Sequence, residues 1–151
     1  MNSSLSDIWE ELNHRMKNGL LGIKDCRDLI ANYNGVDYLK GVYINPDKYN
    51  RHIVYKNRDM EMVIVTWAPN QQSGFHGHPG ECIFRVLEGV ILEELKPVGS
   101  VENQIAIFNV GDSGYIDNSI GQHNMYSQNG AVSLHIYSPP FSLNNTKNNI
   151  E

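Results

Sequence analysis

Apolar positions in the first third of the chain recur at helical spacing. Ile8, Trp9, Leu12 and Met16 fall on one face behind Ser4 or Ser6, either of which can cap a helix, and Gly19 ends the segment. A second face built from Cys26, Leu29, Ile30 and Tyr33 predicts another helix, stopping at Asn34-Gly35. Asn45-Pro46-Asp47 marks a turn. From Arg51 onward the pattern changes to short β-rich runs at 52–55, 60–67, 82–87, 90–95, 105–108, 114–116, 123–126 and 132–137, separated by Gly, Pro and Asn. Asn57-Arg58-Asp59 and Glu88-Gly89 read as tight turns, and Pro97-Val98-Gly99-Ser100 as a looser one. Many short strands of this kind predict a mainly β protein, an antiparallel sandwich or barrel carrying N-terminal α-helices.

The length of 151 residues suits one domain with a hydrophobic core. A helical segment at 1–40 is expected to pack on a barrel at 41–141. Residues 142–151 carry too little apolar surface to offset ordering entropy and are expected to form a disordered tail. A composition 40% hydrophobic and 19% charged is that of an ordinary soluble protein. The formal charge of -5, with no Lys/Arg cluster, argues against nucleic acid as a partner. No apolar run is long enough to span a bilayer, and Met1–Asp7 lacks the basic and apolar regions of a secretion signal. Cys26 and Cys82 stand in unlike contexts and do not suggest a disulfide scaffold. The expectation is a cytoplasmic monomer with no membrane partner.

Candidate chemistry begins at His76-Gly77-His78. Alternate residues of an extended segment project from one face, so these two imidazoles can point at one metal ion, with His123 available later in the chain. Three neutral nitrogen donors leave open positions on a first-row metal, where substrate and oxygen can bind. An H-x-H pair alone is more often two solvated or core-edge imidazoles. Gly74 and Gly77, which permit close backbone approach, strengthen the metal reading, as do Cys82 and Gly89 within a strand-turn pattern and His123 behind Ser119-Ile120-Gly121.

The stretch from His76 through Cys82 to Gly89 resembles the first motif of the cupin barrel, with Cys82 where most cupins have a glutamate ligand. Gly111 through His123 looks like the second motif. Within cupins, Cys82, the string 115–123 and the string Ser133-Leu134-His135-Ile136-Tyr137-Ser138-Pro139-Pro140 are similar to the cysteine dioxygenase family, over roughly residues 40–141. The resemblance implies Fe(II) held by His76, His78 and His123. Losing the carboxylate leaves a divalent site more electropositive and better able to hold a thiolate. Zinc suits an O2-dependent reaction of this kind less, because it cannot exchange electrons with O2; nickel, copper and manganese stay open.

The resemblance also implies a carboxylate clamp at Tyr49 and Arg51, although on the residues alone Arg51 would simply pair with an acid at a strand edge. A guanidinium offers the fixed fork a carboxylate needs. A Ser133–His135–Tyr137 row would hold the phenol over the metal's open side, where it could orient or protonate bound oxygen. The alternative is a core-edge tyrosine. Cys82 has three readings: an inert buried thiol, a direct ligand, or, as the resemblance implies, one half of a thioether to the Tyr137 ring. The loop Pro79-Gly80-Glu81 is one residue shorter than in animal members, which bears on that crosslink. Arg58, His14 and His52 are expected to be solvated, Cys26 buried, Trp67 packed near the pocket wall and Glu81 turned away from Cys82. The function implied is oxidation of L-cysteine by O2 to cysteine sulfinate. The alternatives are another small thiol (3-mercaptopropionate or cysteamine), a non-catalytic metal-binding cupin or, less favoured, a metal-dependent sugar isomerase.

Overall fold

Ser4 opens the first helix, α1 (Leu5–Lys17), through a reciprocal cap. Its hydroxyl accepts from Asp7 N–H at 3.0 Å, while the Asp7 carboxylate accepts from Ser4 N–H at 3.4 Å. Leu5, Ile8 and Leu12 are buried, and Trp9 stacks on Tyr55 with ring centroids 5.6 Å apart. These observations come from a computed structural model that describes residues 4–19 and 22–141. The expected tail at 142–151 lies outside the described residues.

The second helix is shorter than its apolar spacing predicts. A 3-10 turn, Ile23–Cys26, runs into α2 (Arg27–Ala31), and Asn32 caps it. The reason is Arg85, which reaches across from the sheet to donate to the carbonyls of Ile30, Ala31 and Tyr33. Those terminal acceptors are satisfied by a side chain instead of another helical turn. Cys26, Ile30 and Tyr33 are nevertheless buried as the spacing implies. A second 3-10 turn, Asp37–Gly41, leads to the strands.

The strands are β1 (Asn50–Lys56), β2 (Glu61–Trp67), β3 (Gln71–Gln72), β4 (Glu81–Gly89), β5 (Ile91–Pro97), β6 (Gln104–Phe108), β7 (Ser113–Asp117), β8 (Gly121–Ser127) and β9 (Ala131–Ser138). They pair antiparallel in a five-stranded sheet, β1-β2-β9-β4-β7, and a four-stranded sheet, β3-β8-β5-β6. The expected mainly β architecture is borne out. Strand β3 has no apolar period and was not legible. Glu88 and Gly89 still pair with Val132 and Ala131, so the turn after β4 falls at Val90. Strand β9 ends where Pro139 and Pro140 cannot donate to a ladder.

The central strands β2 and β9 of the larger sheet are buried on both faces, which explains the continuous apolar run Met62–Val65. Met62, Ile64, Ile83, Leu134 and Ile136 pack outward against Leu12, Ile23 and Ile30 of the helical segment. Val63, Val65, Trp67, Phe84 and Val86 face inward to meet Ile91 and Met125 of the smaller sheet. Register then decides which polar groups enter this lumen. Glu61, Tyr137, Cys82 and Ile116 form one cross-strand row; Val63, His135, Phe84 and Gly114 form the next. Arg51 lies opposite Val65, and Val65 opposite Ser133.

Candidate metal centre

His76 and His78 lie on an extended connection between β3 and β4 and not within a strand. Backbone pairing with β8 supplies the alternation all the same. His76 N–H donates to His123 O at 3.0 Å, and His123 N–H returns the bond at 3.1 Å. His78 N–H donates to Asn118 Oδ1 at 2.8 Å. A Cβ at residue 77 would sit 2.5 Å from that same oxygen, so Gly77 is what lets the connection approach Asn118.

The three rings converge. Their centroids stand 4.9 Å (His76–His78), 4.6 Å (His76–His123) and 5.0 Å (His78–His123) apart, and one ligand atom from each lies within 4.8 Å of the others. Burial and the neighbouring imidazole of His123 push His76 down to about 4 and His78 down to about 3, so both are neutral near pH 7. His76 Nδ1 faces Gly74 O at 3.0 Å, and His123 Nδ1 faces Glu93 Oε2 at 2.7 Å. Both acceptors call for the N–H at Nδ1, leaving the lone pair at Nε2. Those two Nε2 atoms are only 3.2 Å apart. Two lone pairs at that distance repel unless a cation lies between them, and His78 Nδ1 is buried without a hydrogen-bond partner among the described residues. The donor set therefore fits a divalent metal. Among the described residues Cys82 stands outside the group; its Sγ lies 3.6 Å from Ile83 O and 3.9 Å from His135 Nδ1.

A line of polar side chains runs along the lumen beside the rings. Trp67 Nε1–H donates to Ser133 Oγ at 3.1 Å; Ser133 Oγ is 2.8 Å from His135 Nε2, and His135 Nδ1 is 3.3 Å from the Tyr137 hydroxyl. Burial holds His135 well below its ordinary value and pushes the Tyr137 phenol and the Cys82 thiol up. All three are therefore neutral. Tyr137 stacks over His78 at 5.9 Å and is the direct cross-strand partner of Cys82.

Arg51 extends into the same cavity as His76, His123 and Tyr137. Its Nη2 lies 3.2 Å from Glu61 Oε1, and its guanidinium carbon stands 5.4 Å over the Tyr137 ring and 5.2 Å over the Phe141 ring. Tyr49 lines the cavity too, stacked on Trp67 at 4.8 Å. Residues assigned bland roles behave so: Arg58, His14 and His52 are exposed, and Glu81 turns outward to accept from the Tyr115 hydroxyl at 2.7 Å.

Four residues at the site escaped sequence reasoning. Glu61 was visible as a lone acid inside an apolar strand. Glu93 shares the parity of the core residues Ile91 and Leu95. Phe141, an apolar residue between two prolines and a polar tail, stacks at 5.2 Å on Tyr137. Asn118 carries no such signal.

A cupin-type double-stranded barrel with three inward histidines is the class that fold and site define. Among solved structures, this chain is similar to an RmlC-like cupin from Desulfovibrio desulfuricans (TM-score 0.56, 20% identity, 72% of this chain and 99% of that one). It is also similar to a cupin from Shewanella frigidimarina (TM-score 0.52, 18% identity, 60% and 76% covered). At such identities the likeness is one of fold. The family model for cysteine dioxygenase type I matches residues 1–148, and the chain belongs to that family. It is 28% identical over 160 residues to cysteine dioxygenase type 1 of Danio rerio, covering 91% of this chain and 76% of the relative. The human protein of the same name is 26% identical over 151 residues, with the same coverage.

Proposed function

We propose that this protein is an Fe(II)-dependent thiol dioxygenase that adds both atoms of O2 to the sulfur of L-cysteine, giving cysteine sulfinate. The observation that carries the reading is a group of three converging imidazoles, His76, His78 and His123, two of which open on a cavity they share with the Arg51 guanidinium and the buried Tyr137 phenol. Family membership supports the reaction class. Arg51 supports a substrate with a carboxylate, and so favours cysteine over cysteamine.

His76, His78 and His123 would hold the iron, which supplies a site for the thiolate and the electrons that activate O2. Three neutral donors leave its full positive charge to attract that thiolate. The remaining work belongs to the chain. Arg51 binds the carboxylate through the guanidinium donors that face the cavity, and the Tyr49 phenol borders it. Phe84, Ile116 and Met125 exclude bulk water from the lumen. The buried Ser133 hydroxyl accepts from Trp67, so its own proton goes to His135 Nε2. His135 then carries its proton on Nδ1 and donates to the Tyr137 oxygen, which leaves the phenol O–H to donate into the cavity. Holding thiol and O2 together supplies a proximity contribution worth up to about 7–11 kcal/mol in favourable cases.

Anaerobic loading with Fe(II), followed by O2 uptake and sulfinate release with L-cysteine, 3-mercaptopropionate and cysteamine, tests this. One O2 consumed per cysteine sulfinate formed is expected. Preference for cysteamine would overturn the clamp, and tight iron binding without O2 uptake would favour a non-catalytic cupin.

A further inference from the structure

Arg51 meets its cavity already facing an acid. Glu61 is fully buried on β2, behind the cavity wall, with Oε1 3.2 Å from Arg51 Nη2, while the arginine side chain is 19% exposed. Among the described residues lining the cavity, Arg51 is the only Lys or Arg. In a low-dielectric lumen an uncompensated guanidinium would attract any small anion. Glu61 cancels much of that attraction and keeps the guanidinium over the Tyr137 and Phe141 rings. A free carboxylate then gains little by entering. A carboxylate tethered through its own thiolate to the three-histidine centre arrives at high effective concentration and binds despite the weakened field. We propose that Glu61 is a specificity-determining residue: a built-in counter-carboxylate that makes Arg51 accept a carboxylate only from a ligand anchored by its sulfur.

This inference rests on the Arg51 clamp, and the test separates the two. Binding to the anaerobic Fe(II)-loaded protein is measured by calorimetry and by thermal shift for propionate, 3-mercaptopropionate and cysteamine. Glu61→Gln keeps the shape and removes the charge. Propionate should bind roughly tenfold tighter and stabilise the variant more than the parent, an effect the size of one charge-assisted hydrogen bond. Cysteamine affinity should move by less than about twofold, the measured scatter of a distant change. A purely structural role for Glu61 would weaken binding, so tightening is diagnostic. Unchanged or weaker propionate binding overturns the proposal. If Glu61→Gln does not fold, Glu61→Asp, which keeps a buried charge but withdraws it from Arg51, should show the same tightening to a smaller degree; its absence is equally fatal. Arg51→Ala separates the readings: no loss of 3-mercaptopropionate affinity defeats the clamp itself, whereas loss there without tightening in Glu61→Gln defeats only the role of Glu61.

Discussion

Cys82 and Tyr137 are cross-strand partners in the β4–β9 ladder, both turned into the lumen and 1% and 6% exposed. Residues directly opposite on adjacent strands have Cβ atoms about 4.5–5.5 Å apart, within reach of a sulfur and a phenol ring. The register of β4 on β9 thus sets this pairing, and the length of the Pro79–Glu81 loop does not enter it. A thioether between Cys82 Sγ and the ring removes one hydrogen from each partner, with O2 as oxidant. After aerobic turnover with iron and cysteine, intact mass should include a species lighter by two hydrogens, absent in Cys82→Ser.

Glu93 fixes His123 from behind, 2.7 Å from Nδ1. Glu93→Gln keeps an oxygen that can accept from Nδ1–H but removes the charge that strengthens this bond, so the ring's preference for that tautomer weakens. Metal affinity should fall about 10–100-fold in chelator competition. His123→Ala should abolish retention altogether; full iron occupancy in that variant would show the ligand set to be wrong.

Ser133 sets the proton position on His135 without reaching the cavity's reacting atoms. Ser133→Ala removes the donor to Nε2 and leaves Trp67 Nε1 without its acceptor. Since Arg51 and the three histidines are untouched, kcat should fall about a hundredfold, at the low end of general acid–base effects, with KM for cysteine little changed. A rise in KM of equal size would instead mean a reshaped pocket.

In the metal-free protein, His76, His78 and His135 all titrate below their ordinary value of 6.5, His76 near 4 and His78 near 3. Above pH 6.5 these groups are neutral in the folded and unfolded states alike, and stability is unaffected by them. As pH falls through 6.5 the unfolded chain takes up protons first, so the folded state loses stability down to pH 3–4. Chemical denaturation between pH 7 and pH 4 should show this loss, and bound iron should deepen it, because the metal competes with the same protons. A flat profile over that range would mean the rings are solvated.

The eight longer strands and the capped first helix were legible in the sequence, because each rests on local period; the His76-Gly77-His78 pair was legible by residue type, and His123 joined it through the family resemblance. The second helix was overestimated, since Arg85 takes its terminal carbonyls from a strand more than fifty positions away. Strand β3 exists only through its pairing with β8. Glu61 and Glu93 went unassigned because an acid in a strand declares its burial only once the opposing sheet is present.

What the sequence determined by itself is the inventory: a set of short strands, three imidazoles with a cysteine where most cupins place the carboxylate ligand, and the Ser-x-His-x-Tyr alternation on one strand. Tertiary structure decided the neighbours. The register of β2, β9 and β4 set Glu61, Tyr137 and Cys82 in one inward row, and the packing of β1 on β2 brought Arg51 to Glu61. Side-chain alternation is a local property of the backbone, but which strands lie side by side, and in which register, depends on burying both faces of the larger sheet at once.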